Sequence, residues 1–207
     1  MTRLYAAARE IVEWLTHRGV PTCIIGGLAV QRWGEPRLTR DVDLTVLVDL
    51  GREEELVDAL LARFHGRRRD ARSFALRYRV VLLQTRSGVP LDVALGATGF
   101  EETSIARSSR HEFEPGCELP TCSAEDLIVH KTVAGRARDL DDLIGVVNRQ
   151  HGKLDLAYVR RWLAAFAEVD GMSDVRERFE SVLRSAVATA RRRRTGRSGS
   201  PGPRRKR

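Results

Sequence analysis

The chain has 207 residues, of which 42% are hydrophobic and 31% are charged, and its formal net charge is +8. This length and composition indicate a soluble globular chain of one domain plus at most a small appendage, and they exclude fibrous and wholly disordered proteins. The charge is uneven: residues 191–207 hold nine of the 36 Lys and Arg and none of the 28 Asp and Glu, which leaves 27 basic and 28 acidic side chains in residues 1–190. The basic character is therefore a property of the C-terminal tail, and the body is close to neutral.

The sequence also carries no signal for a membrane or for secretion. It has no run of about 18 apolar residues, the length a transmembrane helix needs, and its N-terminus lacks the continuous apolar segment of a signal peptide. The three cysteines, Cys23, Cys117 and Cys122, are odd in number and have no second Cys or His pair at zinc-finger spacing. We therefore expect a cytoplasmic protein with no membrane partner.

The first half of the chain is predicted to alternate helices and strands. An apolar stripe over residues 3–18 predicts an amphipathic helix that ends at Gly19, before Pro21. Further patterns predict, in chain order, a strand at 22–25, a helix at 28–33, a strand at 41–49, a helix at 52–64, strands at 77–85 and 90–95 joined by a turn, a helix at 98–108, and irregular or short β structure at 111–122.

The second half is predicted to be helical. Ser123 is a suitable N-cap, with Asp126 at the capping-box position, and helices are expected at 124–134, 138–150, 155–168 and 173–190. The segment 191–207 has no apolar residue to bury, and we expect it to be disordered. The predicted fold class is α+β, a small mixed sheet with flanking helices (1–122) followed by a C-terminal helical bundle (123–190).

We expect the residues of a functional site in the stretch that runs from a glycine pair to two aspartates. Gly26 and Gly27 lie at a strand-to-helix turn, where backbone N–H groups can approach a phosphate closely. Asp41 and Asp43 alternate with apolar residues, so both carboxylates lie on one face of a strand. Asp92 lies on another predicted strand. Three carboxylates on neighbouring strands are suited to divalent cations that contact phosphate oxygens.

This pattern resembles the nucleotidyltransferase superfamily of the DNA polymerase β type, whose signature is a glycine pair, Asp-x-Asp and a distant Asp. It is more closely similar to a bacterial branch that includes AbiEii-like and MenT-like toxins of toxin–antitoxin systems. That branch reads GG-x-A and W-G-x-P-R-x-T-x-D-x-D, then a helix with Lys, Arg, Asp and a further Asp. The matching residues here are Gly26, Gly27, Ala29, Trp33, Gly34, Pro36, Arg37, Thr39, Asp41, Asp43, Lys131, Arg136, Asp139 and Asp142.

The resemblance implies a nucleotidyltransferase fold and a metal-dependent transfer of a nucleoside monophosphate from an NTP, with release of pyrophosphate. It implies two Mg²⁺ ions held by Asp41, Asp43 and Asp92, with Asp92 also near the attacking hydroxyl. It implies that Lys131 neutralises phosphate charge from the helical half. Predicted nucleotide-binding residues are Gly26, Gly27, Arg37, Thr39, Lys131 and Arg136. An antitoxin partner is a further implication of the family.

The sequence is compatible with several acceptors and with more than one role for individual residues. The basic tail favours an RNA acceptor, plausibly the end of a tRNA, whereas the near-neutral body suits a small molecule such as an antibiotic equally well. A non-catalytic NTP-binding or RNA-binding module is the third alternative. Arg37 could contact phosphate or form a loop salt bridge, and Lys131 could be a surface lysine. Asp139 and Asp142 are expected to serve as helix N-terminal charges or partners of arginines, and residues 67–69 as a solvated loop.

Overall fold

The computed structural model of the protein describes residues 2–96 and 99–196, with side chains up to residue 186. In the first half, helices and strands alternate. They are α1 (Arg3–Thr16), β1 (Thr22–Ile24), α2 (Gly26–Trp33), β2 (Val42–Leu47), α3 (Glu53–Arg63), β3 (His65–Gly66), α4 (Ala71–Tyr78), β4 (Val80–Gln84), β5 (Pro90–Gly96), α5 (Gly99–Ala106), β6 (Ser109–Glu114) and β7 (Cys117–Thr121). The helices that follow are α6 (Ala124–Ala134), α7 (Ala137–Arg149), α8 (Leu156–Ala167) and α9 (Val175–Gly196).

Local sequence explains where several helices begin and end. The Thr2 side chain accepts a hydrogen bond from the Tyr5 N–H and caps α1, and the Ser123 side chain accepts one from the Asp126 N–H and caps α6. The N-cap predicted at Ser123 is thereby confirmed. Helix α6 ends at Gly135, whose φ of 61° is in the left-handed region that glycine adopts without a steric penalty. The turn into α7 is therefore short.

The strands of the described residues form one mixed sheet in the order β3-β4-β5-β2-β1-β7-β6. Its centre is the parallel pair β2 and β5, in which Val42 lies opposite Leu91 and Asp43 lies opposite Asp92. Strand β4 pairs antiparallel with β5 and places Leu82 opposite Asp92. The sheet therefore aligns residues of β2, β5 and β4 in one row, although they are far apart in sequence.

Apolar side chains form two cores, one on each side of the sheet. The first contains the inward residues of β2 and β5, such as Leu44 and Val93, packed against α1 and α3. The second joins Cys23 of β1 and Val30 of α2 to the C-terminal helices, for example at Leu127 and Phe179. Because the helical half shares this second core with β1 and α2, it has a fixed position against the α/β half. The predicted mixed sheet followed by helices is confirmed.

The structure differs from the sequence-based prediction between α3 and β5. Residues 77–79 belong to a helix and its end, not to a strand, because α4 runs over Ala71–Tyr78 and β4 begins at Val80. Only Ala71 and Ala75 of α4 are buried. So short a helix, with alanines as its buried face, has no apolar stripe that periodicity could detect.

The last helix extends further than its pattern predicts. Helix α9 continues to Gly196, so residues 191–196, which we expected to be disordered, are helical. Arginine and alanine are good helix formers, and no Gly or Pro interrupts this segment before Gly196. The rest of the predicted tail, residues 197–207, lies outside the described residues. None of the described helices combines the length and the hydropathy that crossing a bilayer requires.

Candidate active site

Three aspartates meet at one end of the central parallel strands. Asp43 is the second residue of β2 and lies opposite Asp92 of β5, and Asp41 immediately precedes β2. Residues paired directly across neighbouring strands project from the same face of a sheet. The fold therefore brings together the three carboxylates that the sequence proposed as metal ligands, from two strands nearly 50 residues apart.

The glycine turn closes over this group of carboxylates. Gly26 has a φ of +59°, and a Cβ atom at this position would overlap the Asp43 carboxylate. The Gly27 N–H donates to Asp43 Oδ2 at 3.3 Å, and a Cβ on Gly27 would overlap the Thr39 side chain. Both glycines are therefore required by close approach, because any side chain there would displace Asp43 or Thr39. The N-terminus of α2 faces the carboxylates through this turn.

Burial and the neighbouring carboxylates raise the pKa of Asp43 and of Asp92. Burial, followed by repulsion from Asp41, raises the pKa of Asp43 to about 6, although the Gly27 N–H and the charge of Lys131 act in the opposite direction. Burial also raises the pKa of Asp92, and the nearby Arg67 guanidinium opposes that rise. A raised carboxyl pKa indicates that the ionised form lacks enough positive charge or hydrogen bonding. This cluster is consequently a place where added cations stabilise the ionised carboxylates.

Two of the three carboxylates already have side-chain partners. The Thr39 hydroxyl donates to Asp41 Oδ1 at 2.7 Å, and Arg67 forms an ion pair with Asp92. Arg67 was expected in a solvated loop. Its backbone N–H bonds to the Leu82 carbonyl, which extends the β3–β4 pairing by one residue and places Arg67 in the row of Leu82 and Asp92. The two-residue strand β3 is too short for sequence periodicity to detect.

A second group of charges lies where α6 meets α7. The Lys131 ammonium is 2.8 Å from carboxylate oxygens of both Asp139 and Asp142, and all three side chains are buried. Arg37 donates to both oxygens of Asp142, at 2.7 and 2.8 Å. Arg136 lies 2.6 Å from Asp139. This charge network connects the helical half to the loop before β2, and within it Arg37 forms a salt bridge with Asp142.

The network has the opposite electrostatic character to the carboxylate cluster. Burial alone would raise the pKa of Asp139 and Asp142. Hydrogen bonds from Arg136 and Lys131 bring Asp139 below its ordinary pKa, and those from Arg37 and Lys131 do the same for Asp142. The hydrogen bond to Asp142 raises the pKa of Arg37. Lys131 is thus not the surface lysine of the alternative interpretation, since 94% of it is buried beside two carboxylates.

The carboxylate cluster fits divalent cations in charge and donor type, but its side chains are not arranged as a finished metal site. Within residues 2–96 and 99–196, no three His, Cys, Asp or Glu side chains stand ready to hold a metal ion. Thr39 and Arg67 each engage one carboxylate oxygen, of Asp41 and of Asp92 respectively. Hard carboxylate oxygens are the ligands that Mg²⁺ prefers.

Two further side chains, His130 of α6 and Trp33 of α2, make structural contacts. His130 is partly buried and packs edge-on against the Phe100 ring, with 4.9 Å between ring centroids, and burial lowers its pKa. The Trp33 indole N–H donates to the Cys122 carbonyl. Neither residue contacts the carboxylate cluster. Their role is to pack the second core against β1 and α2.

Comparison with known proteins identifies a family. A family model described as "Nucleotidyl transferase AbiEii toxin, Type IV TA system" matches residues 24–199. A comparison with curated proteins finds no match. Among solved structures, an antigenic nucleotidyltransferase-like protein from Paracoccidioides brasiliensis is similar with a TM-score of 0.48 and 16% identity, over 85% of this chain and 91% of that one.

Two proteins connected with antibiotic resistance or antibiotic adenylylation also align with the chain. The antibiotic-resistance factor ANT(2'')-Ia aligns with a TM-score of 0.48 and 16% identity, over 92% of this chain and 97% of that one. The lincosamide antibiotic adenylyltransferase LnuA aligns with a TM-score of 0.43 and 12% identity, over 67% of this chain and 92% of that one. The family match spans both the glycine turn and the charge network of α6 and α7.

Proposed function

The chain belongs to the AbiEii nucleotidyltransferase family, and from this premise we propose that it moves a nucleoside monophosphate from an NTP to a hydroxyl of an RNA, with Mg²⁺, in the cytoplasm. Membership of this family shows that the chain is a nucleotidyltransferase. We propose three further properties: metal dependence, an RNA acceptor, and action as a toxin with an antitoxin partner. The observation that carries the proposal is the register of β2 and β5, which sets Asp43 beside Asp92 with Asp41 next to them.

The residues of the cluster have separate tasks in this proposal. Bound Mg²⁺ would neutralise the triphosphate and the developing negative charge on the α-phosphate. Asp41, Asp43 and Asp92 would hold the cations, and the turn at Gly26 and Gly27 would leave room for the phosphates beside Asp43.

The reaction balances as a single displacement. The acceptor hydroxyl oxygen bonds to the α-phosphorus, the bond from that phosphorus to the oxygen bridging to the β-phosphate breaks, and pyrophosphate leaves with that oxygen. In this proposal Asp92 would take the hydroxyl proton on a carboxylate oxygen, a role that its raised pKa favours. Release of Arg67 from Asp92 frees that oxygen.

In this proposal the charge network of α6 and α7 supports the carboxylate cluster electrostatically. Lys131 is close enough to lower the pKa of Asp43, so its charge favours the ionised carboxylate. Its ammonium is bound by Asp139 and Asp142, which fixes it in position. Arg37, held by Asp142, in turn orients the loop that leads to Thr39 and Asp41. We therefore assign Lys131, Arg37 and Arg136 to the electrostatic support of nucleotide binding.

The acceptor is tested directly with purified protein, Mg²⁺, each labelled NTP in turn and total tRNA. We expect one NTP to label RNA and to release pyrophosphate, and both signals to disappear with a chelator or in Asp43→Asn. Labelling of a small molecule or a protein in place of RNA would refute the RNA acceptor and support the alternative of a small-molecule or protein acceptor. Binding of NTP or RNA without transfer by the wild-type protein would support the non-catalytic alternative.

A further inference from the structure

Helix α4 and the residues that precede it carry exposed arginines and two aromatic side chains, of which Tyr78 is exposed and Phe74 is partly buried. Phe74 and Tyr78 are one turn apart, with ring centroids 4.7 Å apart. The Arg68 guanidinium lies over the Phe74 ring at 4.4 Å from its centroid, and Arg77 lies over Tyr78 at 5.3 Å. We name this the α4 surface and define it as Arg68, Arg69, Phe74, Arg77 and Tyr78.

Packing in the two hydrophobic cores does not explain why aromatic residues occupy positions 74 and 78. The buried face of α4 consists of Ala71 and Ala75, and neither Phe74 nor Tyr78 belongs to the two cores or packs against them. Tyr78 is 56% exposed. On the other flank of α4, Arg72 is held by two carboxylates of α3, so the aromatic flank faces away from α3. An aromatic pair with one exposed and one partly buried ring, flanked by guanidinium groups, is a surface on which a flat ligand can stack.

The charge of this segment selects an anionic ligand. Residues 67–79 contain six arginines and a single acidic residue, Asp70. Asp70 pairs with Arg68, whereas Arg69 and Arg77 have no acidic partner among the described residues. Two exposed, unpaired guanidinium groups beside an aromatic pair suit phosphates beside unpaired bases. The same surface offers little to a polycationic small molecule.

The α4 surface begins one residue from the catalytic cluster. Arg67 pairs with Asp92, and Arg68 is its neighbour in the chain. The row that runs from Asp43 through Asp92 and Leu82 ends at Arg67, and Leu82 is only partly covered. Ala75 of α4 packs in the first core with Val81 and Val93, on the other face of the sheet from this row. An RNA strand whose terminal hydroxyl lies at Asp92 could therefore follow the row to the β3 edge of the sheet, where the chain continues into α4.

We propose that the α4 surface holds the single-stranded end of the RNA acceptor, with bases stacked on Tyr78 and Phe74 and phosphates paired with Arg69 and Arg77. The inference rests on the proposed function and names where its substrate binds. It places acceptor recognition in the catalytic half of the chain and gives the C-terminal basic segment a secondary, non-specific role. Stacking tolerates any base, so the surface recognises single strands without reading their sequence.

The test measures binding of a short fluorescent single-stranded RNA, and of a heparin fragment that carries charge but no bases. Tyr78→Ala should weaken RNA binding about tenfold and leave heparin binding unchanged. Tyr78→Phe, which keeps the ring, should bind RNA like the wild type. Leu50→Ala removes a comparably exposed apolar side chain elsewhere and should have no effect. Equal RNA affinity in Tyr78→Ala, or an equal loss for heparin, would overturn the proposal.

The arginines are tested by the salt dependence of binding. The double variant Arg69→Gln with Arg77→Gln should reduce the slope of log affinity against log salt by about 1.4, because each single-strand phosphate contact contributes about 0.7. Arg18→Gln, which removes a guanidinium that lies over Trp14, is the matched control and should keep the wild-type slope. An unchanged slope in the double variant would contradict the phosphate contacts.

Transfer assays separate this inference from the proposed function. If the wild type labels RNA and Tyr78→Ala raises the KM for RNA with little change in kcat, both stand. If the wild type labels RNA and Tyr78→Ala has the same KM, the α4 surface is wrong and the proposed function remains. If the wild type labels no RNA, the acceptor role is overturned together with the proposed function.

Discussion

Two groups of aspartates in this protein have opposite electrostatic surroundings. Asp43 and Asp92 lie beside each other on the sheet with too little positive charge, and their pKa values are raised. Asp139 and Asp142 on α7 are bound by Lys131 and by arginines, and their pKa values are lowered. The same residue type therefore serves two purposes. The first group lacks compensating positive charge, and the second is already neutralised and joins the helical half to the loop before β2.

Removal of a carboxylate from the first group should give the largest effect on activity. We expect Asp43→Asn to lower turnover on the order of a thousandfold or more, because it removes charge where cations and phosphates must bind. The change is nearly isosteric, so the thermal unfolding transition should remain cooperative. Asp49→Asn, an exposed aspartate beyond the other end of β2, is the control. Full activity in Asp43→Asn would refute the assignment of the cluster.

Replacement of Lys131, which pairs with both aspartates of the second group, should give the largest effect on stability. Lys131→Met leaves Asp139 and Asp142 buried with one partner fewer each, which should cost about 3–5 kcal/mol in the free energy of unfolding. Chemical denaturation measures this loss, and Lys153→Met, which changes an exposed lysine, should cost almost nothing. If Lys131→Met kept full stability and only weakened NTP binding, the network would be a binding site and not a brace.

The two groups should also differ in how stability depends on pH. Asp43 has a pKa of about 6 in the folded protein against 3.8 ordinarily, so the folded state binds more protons between about pH 4 and 6. Without metal, the wild type should lose stability relative to Asp43→Asn as the pH rises through this window. The difference should reach about 1–3 kcal/mol at pH 7 and vanish below about pH 4.

Asp142→Asn should show the reverse pH dependence. Because the pKa of Asp142 is lowered in the folded protein, its stabilising effect is present above the unfolded pKa and is lost as the pH falls through the lower folded value. The variant should therefore be less stable than the wild type at neutral pH and approach it in acid. Parallel pH profiles for Asp43→Asn and Asp142→Asn would contradict the comparison.

The smallest effects on the free energy of unfolding are expected from the arginines of the charge network. Arg37→Gln removes a paired, partly buried guanidinium with 24% exposure, and should cost about 1–3 kcal/mol. Arg136→Gln removes one with 76% exposure, and should cost less than about 1 kcal/mol because solvent screens it. Chemical denaturation of both variants gives the comparison. Equal losses would mean that exposure does not govern the strength of these ion pairs.

The linear sequence predicted the parts of the site that depend on spacing along one element. The alternation around Asp41 and Asp43, the glycine pair and the N-cap at Ser123 are local patterns, and the family that they resemble is confirmed by the match over residues 24–199. The same patterns failed at α4 and β3, where the elements are too short to show a period. Arg67 was assigned to a loop for that reason.

The tertiary structure decided which charges are neighbours. Sequence determined that this chain has a carboxylate pair on a strand beside a glycine turn, because side-chain alternation follows from backbone geometry. It could not determine that Arg67 pairs with Asp92 or that Arg37 pairs with Asp142. Those contacts join residues that are 25 and 105 positions apart, and strand register and helix packing alone bring them together. Burial raises the pKa in both groups of aspartates, and the charged partners that the fold supplies decide that the pKa stays raised for Asp43 and Asp92 and is lowered for Asp139 and Asp142.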